Sequence, residues 1–425
     1  MREESLWSAT LQPEPTPVPL PLEGEYDVAI VGAGFTGLSA AYALRKCGVS
    51  VVVLEREVIG FGASSRNGGM VLTGLKVGPE ELLQRFGSET ARAMFTASLE
   101  AIDLVQELIS TEGIDCTFER CGHLEVASKR AHFDSFKRTA EVLDRSFGHQ
   151  VAVLDRSALR DELDSDAFFG GMLDERSAGL DPARYAHGLA QAVRRRGGVI
   201  YEHAAVERVT RSRDSWLVQT PHGTLRAAHV VAATGAYTDS AFYPLKRRIV
   251  PLGSYVIATE PLPEDFVREL IPCNRMVFDS RRLLHYFRRT SDRRMLFGGR
   301  AAFVPERSDA IRASAKILQR DMAKIFPKLS DVRIDYCWGG TLDVTFDFMP
   351  HAGELDGAHY ALGYAGHGVA MATWLGARTG EAIAGGASMR PFDAALPKAP
   401  LGLYNGRPWF LPIAGAWQRL LDWVN

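Results

Sequence analysis

Six residues near the N-terminus, Gly32-Ala33-Gly34-Phe35-Thr36-Gly37, constrain the fold of this chain more than anything else in it. The run before them, Tyr26 to Val31, is short, apolar and rich in β-branched residues, and predicts a buried parallel strand. The segment after them, Phe35 to Cys47, predicts a helix stopped by Gly48, and Val49 to Leu54 predicts a second strand. If both strands share one sheet, the helical connection must be right-handed. A GxGxxG pattern says little alone. Here a strand precedes it, a helix follows it, and Glu55 closes the next strand 18 residues after Gly37. Gly32 then permits the tight turn, Gly34 lets a pyrophosphate approach bare backbone, and Gly37 lets helix and strand pack closely. With Ala33, Phe35 and Thr36 they form a phosphate turn, where the helix N-terminus offers free N–H groups and partial positive charge. Glu55, with Arg56 beside it, is placed to accept hydrogen bonds from ribose hydroxyls. The competing reading is a glycine turn in an α/β domain that binds no nucleotide.

Size and charge set outer limits. With 425 residues, 46% of them hydrophobic and 24% charged, the chain has room for two or three domains and a large core. A formal net charge of -2 argues against a nucleic-acid partner. Cys47, Cys116, Cys121, Cys273 and Cys337 are scattered and form no CxxC pair, which points to a reducing compartment, the cytoplasm. The N-terminus lacks the basic and apolar regions of a secretory signal, and no apolar run of ~18 residues occurs, so no membrane span is expected. Pro13, Pro15, Pro17, Pro19 and Pro21 make residues 1–24 an extended proline-rich arm or a disordered tail. Residues 391–425 end in a tail containing Trp409, Phe410, Leu411, Trp417, Leu420, Leu421 and Trp423, which predicts an amphipathic helix. His351, His359 and His367 show no metal-ligand geometry, and no metal is expected.

Further helices are predicted at about 79–112, 129–147, 308–326 and 367–384, and another from the Asp181-Pro182 cap to Gly197. Strands are predicted at Gly122–Ala127, within Val199–Val218, and at Leu225–Ala233, Arg248–Thr259, Leu283–Arg289 and Met295–Arg300. Two more fall near 332–342 and 358–363.

The glycine turn alone does not separate FAD from NAD. The loop Gly60 to Gly69, containing Ala63, Ser64, Ser65, Arg66, Asn67 and Gly68, favours FAD. A nicotinamide dehydrogenase continues at this point into another helix and strand, whereas a run of small residues suits a second stretch of backbone laid against a longer cofactor; a plain surface loop is the alternative. A third piece is the strand Val230–Ala233 ending in Thr234-Gly235. A fourth is Gly363 to Val369, a strand end entering a helix. Its N-terminus would stabilise the negative charge that builds on the pyrimidine edge of a reduced flavin.

These pieces, DVAIVGAGFTGLSAAYAL, VVVLE, GASSRNGG, VVAATGAYT, WGGTLDVTFDFMPHAG and YALGYAGHGVAMATWLG, resemble the D-amino-acid oxidase/sarcosine oxidase/glycine oxidase superfamily of FAD proteins, over about residues 25–390. The GASSRNGG loop and the final segments look most like the γ-glutamylputrescine oxidase branch. The resemblance implies an α/β (α+β) architecture: a Rossmann-like FAD-binding domain from 25–80, 150–245 and 335–390, and an antiparallel-sheet substrate domain from 81–149 and 246–334. It implies that Gly32, Gly34, Phe35 and Gly37 meet the pyrophosphate, Glu55 the adenosine ribose and Val206 the adenine. Ser64 to Gly69 would run beside the flavin, Trp338, Gly339 and Gly340 would border its ring system, and Gly366, His367, Gly368, Val369 and Ala370 would contact its pyrimidine side. Sarcosine-type relatives hold a substrate carboxylate with a lysine where this chain has Ala370, and with arginines where it has Gly69, Met70, Val71 and Leu72. Their oxygen-activating lysine falls near Leu296. An amine, or a longer substrate with a distant anion, fits these departures better than a small α-carboxylate, with O2 as the expected acceptor. Cys337 lies near a position of covalent attachment in some members; FAD held without a covalent bond is the expectation.

The implied reaction is oxidation of the C–N bond of a primary or secondary amine, with hydride passing to the flavin and the resulting imine hydrolysing to an aldehyde. Three residues are candidates for the reacting edge. His367 would tune the flavin or shape the pocket, or else serve as a helix-start hydrogen bond; Trp338 would wall the pocket or fill the core; Arg288, on the Leu284/Tyr286/Arg288 face of its strand, would hold a substrate anion or lie solvated at a sheet edge. Asp343 and Asp347 are read as loop caps rather than as a carboxylate pair. The rival readings are an amino-acid oxidase or dehydrogenase with its carboxylate on Arg288, a non-catalytic flavin-binding protein, and an NAD-binding module.

Overall fold

The computed structural model describes residues 1–11, 21–299, 308–386, 388–399 and 404–411. Pro13 to Pro19 and the tail residues Trp417, Leu420, Leu421 and Trp423 lie outside them. The first strand, Glu25–Val31, pairs in parallel with Val51–Leu54 on one side and Gly223–Ala232 on the other. Between the first two strands runs the helix Phe35–Lys46, completing the βαβ unit. The sheet extends through Val199–Tyr201 at one edge and Ala358–Leu362 and His351–Leu355 at the other, and a hairpin, Arg208–Ser212 with Ser215–Thr220, branches from Gly223–Ala232. Its central parallel strands are apolar on both faces because helices cover one side and a second apolar cluster around Trp216, Leu225 and Phe242 covers the other.

Close backbone packing holds the glycine helix in place. The C-terminal helix Gly368–Ile383 lies against it, and a Cβ added at Gly376 would sit 2.3 Å from Thr36 O, at Gly380 2.5 Å from Ala40 O. Ser39 Oγ donates to Thr373 O at 2.6 Å across the same contact. The long helix Pro79–Glu112 begins with proline after Gly78, breaks its path at Gly87 (φ 74°), and ends at left-handed Gly113. Asp181 caps the helix Pro182–Arg195 through the N–H groups of Ala183 and Arg184, both at 3.0 Å.

A second eight-stranded sheet runs in the order Ile334–Thr345, Ile249–Thr259, Met295–Gly299, His285–Arg289, Met276–Asp279, His123–Val126, Gly170–Asp174, Ala152–Asp155. It is antiparallel except at one joint, where Met276–Asp279 and His123–Val126 pair in parallel. Helix Ser308–Ile325 covers its far face over a core of Phe287, Phe297 and Phe326. Sheet membership does not follow the expected segment boundaries. Ala152–Asp155, Gly170–Asp174 and Ile334–Thr345 fall in segments expected around the cofactor, yet they pair in this second sheet. The N-terminal segment also differs from an extended arm: Leu6–Ala9 forms a helical turn docked on the protein, with Leu6 and Trp7 buried.

Candidate active site

A cavity of about 620 Å³ lies between the two sheets. At one end it is lined by Gly32, Gly34, Phe35 and Thr36 of the glycine turn, with Glu55, Arg56 and Val206. Gly32 needs its glycine: its φ is +106°, and a Cβ there would lie 2.6 Å from Ala233 O. A Cβ on Gly34 would come within 2.9 Å of Ser64 Oγ, which accepts the N–H of Phe35 at 3.0 Å. Glu55 accepts the N–H groups of Ala33 at 2.8 Å and Glu57 at 3.0 Å, and burial raises its carboxyl above the usual range against those two bonds. Ala33 and Gly37 do not reach the cavity. Ala33 orients Glu55, and Gly37 packs against the strand, where a Cβ would sit 2.0 Å from Gly32 O.

The middle of the cavity is lined by Ala63, Ser64, Arg66, Asn67 and Gly68 from the small-residue loop, by Thr234 and Gly235, and by Gly340. Opposite stand Gly366, His367, Gly368 and Val369 at the start of the C-terminal helix. Gly366 has φ +108°, and a Cβ there would meet no protein atom within 4 Å, so the backbone faces open space. His367 Nδ1 is buried with no hydrogen-bond partner among the described residues, and burial, with Lys76 and His123 nearby, pushes its imidazole down to about 3. It is neutral at physiological pH. Asp343 lies under this segment: it accepts the N–H of Gly363 at 2.7 Å, and burial lifts its carboxyl to about 6.

An FAD fits these residues. Bare glycine backbone, free N–H groups at two helix N-termini, a carboxylate after the second strand and an unpartnered imidazole nitrogen are arranged along one continuous cavity.

Several expected site residues stand behind the wall. Ser65 and Gly69 belong to the loop but do not line the cavity, and Ala370 is buried among the helices. Arg288 does not bind an anion there. It is buried, and its Nη1 donates to the carbonyls of Gly69 and Leu180, both at 2.9 Å. Trp338 is likewise not a cavity wall: its Nε1 donates to Arg66 O at 2.9 Å, and its ring joins a cluster with Leu6, Trp7 and Leu296. Cys337 faces away, its thiol donating to Ile311 O at 3.4 Å in the core behind the second sheet. Asp343 and Asp347 do not pair; Asp347 accepts from Met349 N and from His351 Nε2.

The far end of the cavity holds charged residues not singled out from the sequence: Lys76, His123, Glu125, Asp174, Asp279 and Arg281. Asp174 takes bonds from Thr73 Oγ1 and His149 Nε2, both at 2.7 Å, and these outweigh its burial to hold the carboxyl at about 2. Asp279 accepts from His285 Nδ1 at 3.1 Å. Glu125 makes no side-chain hydrogen bond or ion pair among the described residues; burial lifts its carboxyl to about 7, with Lys76 acting against the rise and Asp279 adding to it. One signal was present. His123 and Glu125 alternate with Leu124 and Val126, giving that strand a polar face inside the protein.

The family model described as "FAD dependent oxidoreductase" (DAO) matches residues 27–382. The chain belongs to the DAO family of FAD-dependent oxidoreductases. Among similar proteins, this DAO-family enzyme is 36% identical to gamma-glutamylputrescine oxidoreductase of Escherichia coli K12, over 93% of its own length and 92% of the relative's. It is 34% identical to a probable oxidoreductase, OrdL, of Haemophilus influenzae, over 84% and 83% of the two chains. Its fold matches the crystal structure of glycine oxidase from Geobacillus kaustophilus with a TM-score of 0.73 at 21% identity, covering 88% of this chain and all (100%) of that one. No helix among the described residues is long and apolar enough to cross a membrane.

Proposed function

We propose that this DAO-family oxidoreductase oxidises the C–N bond of a primary or secondary amine whose far end is charged, with a γ-glutamyl amine such as γ-glutamylputrescine as the first candidate. The observation that carries this reading is the polar end of the cavity. Glu125 offers a carboxylate for an ammonium group, with the engaged carboxylate of Asp279 adding negative potential beside it, and Lys76 and Arg281 offer cations for a carboxylate. The sequence relationship to gamma-glutamylputrescine oxidoreductase supports the same substrate class.

In this reading the first sheet and its helices hold FAD without a covalent bond, and the second sheet supplies the substrate wall. Bound FAD supplies a hydride acceptor at N5 for the carbon next to the nitrogen. The protein's own groups orient that carbon and exclude water. A neutral His367 adds no positive charge beside the carbon and nitrogen on which hydride loss builds positive charge, so it does not oppose that step. Loss of hydride and a proton leaves an imine, which water converts to an aldehyde and ammonia or a smaller amine. Molecular oxygen is the proposed acceptor, taking two electrons and two protons to give hydrogen peroxide. The cytoplasm is the proposed compartment, since no disulfide joins the five cysteines.

The test is anaerobic bleaching of the yellow holoenzyme by γ-glutamyl amines, free polyamines, simple monoamines and amino acids, followed by oxygen uptake. Bleaching by γ-glutamyl amines with peroxide release is expected. A second reading, an amino-acid oxidase, is favoured by Lys76 and Arg281 lining the cavity, and bleaching confined to amino acids would replace the first with it.

A further inference from the structure

The loop Ala63–Gly69 presents one side to the cavity, and its other side is pinned by side chains from distant parts of the chain. Five successive carbonyls are taken. Ser65 O accepts Ser5 Oγ at 2.7 Å, Arg66 O accepts Trp338 Nε1 at 2.9 Å, and Asn67 O accepts Trp7 Nε1 at 2.8 Å. Gly68 O and Gly69 O lie 3.5 Å and 2.9 Å from Arg288 Nη1. Two of these donors come from the first eleven residues, a segment outside the βαβ unit and the two sheets.

That segment is itself anchored. Arg2 bridges in parallel to Tyr336 at the edge of the second sheet, with Arg2 N donating to Asp335 O at 2.7 Å and Cys337 N to Arg2 O at 2.9 Å. Leu6 and Trp7, at 1% and 4% exposure, pack with Val256, Leu296 and Trp338, and the Arg288 guanidinium stands 6.0 Å from the Trp7 ring. A loop of glycine, serine and asparagine has many backbone states open to it, and its internal bonds, from Asn67 Nδ2 to the carbonyls of Ala63 and Ser64 and from Gly69 N to Asn67 Oδ1, tie it only to itself. In a planar trans peptide the N–H points opposite the carbonyl. Pinning the carbonyls of Arg66 and Asn67 from behind therefore turns the N–H groups of Asn67 and Gly68 toward the cavity. Neither N–H has a partner among the described residues.

We infer that Ser5 and Trp7 are positioning residues of the cofactor site: the N-terminal segment fixes the peptide planes of the loop that FAD lies against, so it is part of the flavin-binding machinery. This rests on FAD occupying the cavity between the sheets. The test uses full-length Trp7→Phe, Trp7→Ala, Ser5→Ala and Ser5→Thr. Each apoprotein is titrated with FAD, the bound flavin's visible absorption and circular dichroism are recorded, and the melting temperature of each apoprotein is measured. Trp7→Phe keeps the ring and loses one donor. It is expected to weaken FAD binding roughly two- to tenfold, the worth of a neutral hydrogen bond, and to change the flavin's visible dichroism while the apoprotein melts as wild type does. Ser5→Ala should behave alike and Ser5→Thr should restore binding. Should Trp7→Ala fail to fold, the Phe and Ser5 variants decide. Wild-type affinity and spectrum in both Trp7→Phe and Ser5→Ala overturn the inference, as does a loss of affinity matched by an equally destabilised apoprotein. Wild-type protein that binds no FAD would instead overturn the placement of the cofactor, and the inference with it.

Discussion

At Gly34 and Glu125 a single atom decides what the cavity can hold. A Cβ at Gly34 would crowd the Ser64 hydroxyl that takes the Phe35 N–H, and would occupy space at the pyrophosphate turn. Gly34→Val should purify without flavin, seen as loss of the yellow absorbance on a folded protein. Glu125 differs from its neighbours Asp174 and Asp279 in having no side-chain hydrogen bond or ion pair among the described residues. Its carboxyl is held up to about 7 by burial, with Lys76 opposing and Asp279 and Glu80 reinforcing. It is therefore neutral below that pH and a carboxylate above it. The KM for a substrate with an ammonium at its far end should fall as pH rises through about 7. Glu125→Gln should remove that limb and raise KM roughly ten- to a hundredfold, the worth of a charge-assisted hydrogen bond, while KM for a simple monoamine changes little. The turn Gly32–Gly37 was legible in the sequence because its requirements are local: strand, glycines, helix, acid. Glu125 was not, since its role depends on a cavity built from strands far apart in the chain. Arg288 and Trp338 were misread for a related reason. A residue type suited to binding an anion or stacking on a ring is equally suited to capping carbonyls, and only the third dimension shows which it meets.

The elements themselves were largely written in periodicity. The glycine helix, the long helix from Pro79 and the C-terminal helix all occur where apolar spacing placed them. The strands Ala152–Asp155, Gly170–Asp174, Met276–Asp279 and His351–Leu355 are four or five residues each, too short for alternation to stand out. The strand His285–Arg289 is as short, but with Leu283 and Leu284 before it the alternation was readable: Tyr286 faces the cavity loop and Phe287 the opposite core. Pairing of the glycine helix with the C-terminal helix depends on Gly376 and Gly380, one turn apart, whose missing side chains let the backbones touch. Gly380→Val should force the helices apart and cost about 1–3 kcal/mol or more, measured by chemical denaturation. Because Thr36 Oγ1 of the glycine helix also bonds Tyr364 Oη, in the turn that leads into the C-terminal helix, at 2.7 Å, flavin affinity should fall in parallel.

Across the whole molecule, the cofactor cavity is bounded by both sheets, so filling it ties them together. Removing FAD should lower the melting temperature, and adding it back should raise it in a concentration-dependent way; at a free concentration ~1,000 times the dissociation constant the gain is about 4 kcal/mol. A melting curve indifferent to FAD would place the cofactor outside the cavity. Which sheet each segment joins was the least legible feature of the sequence. Pairing partners lie up to hundreds of residues apart, as for Glu25–Val31 with Gly223–Ala232, and nothing local records them.

That interleaving has a consequence for how the protein is made. The nucleotide turn is synthesised well before His367 and the helix behind it, which follow more than three hundred residues later. Cofactor capture must therefore wait until the helix Gly368–Ile383 has been made. A nascent chain arrested before residue 363 would carry the signature motif and still leave the tunnel colourless.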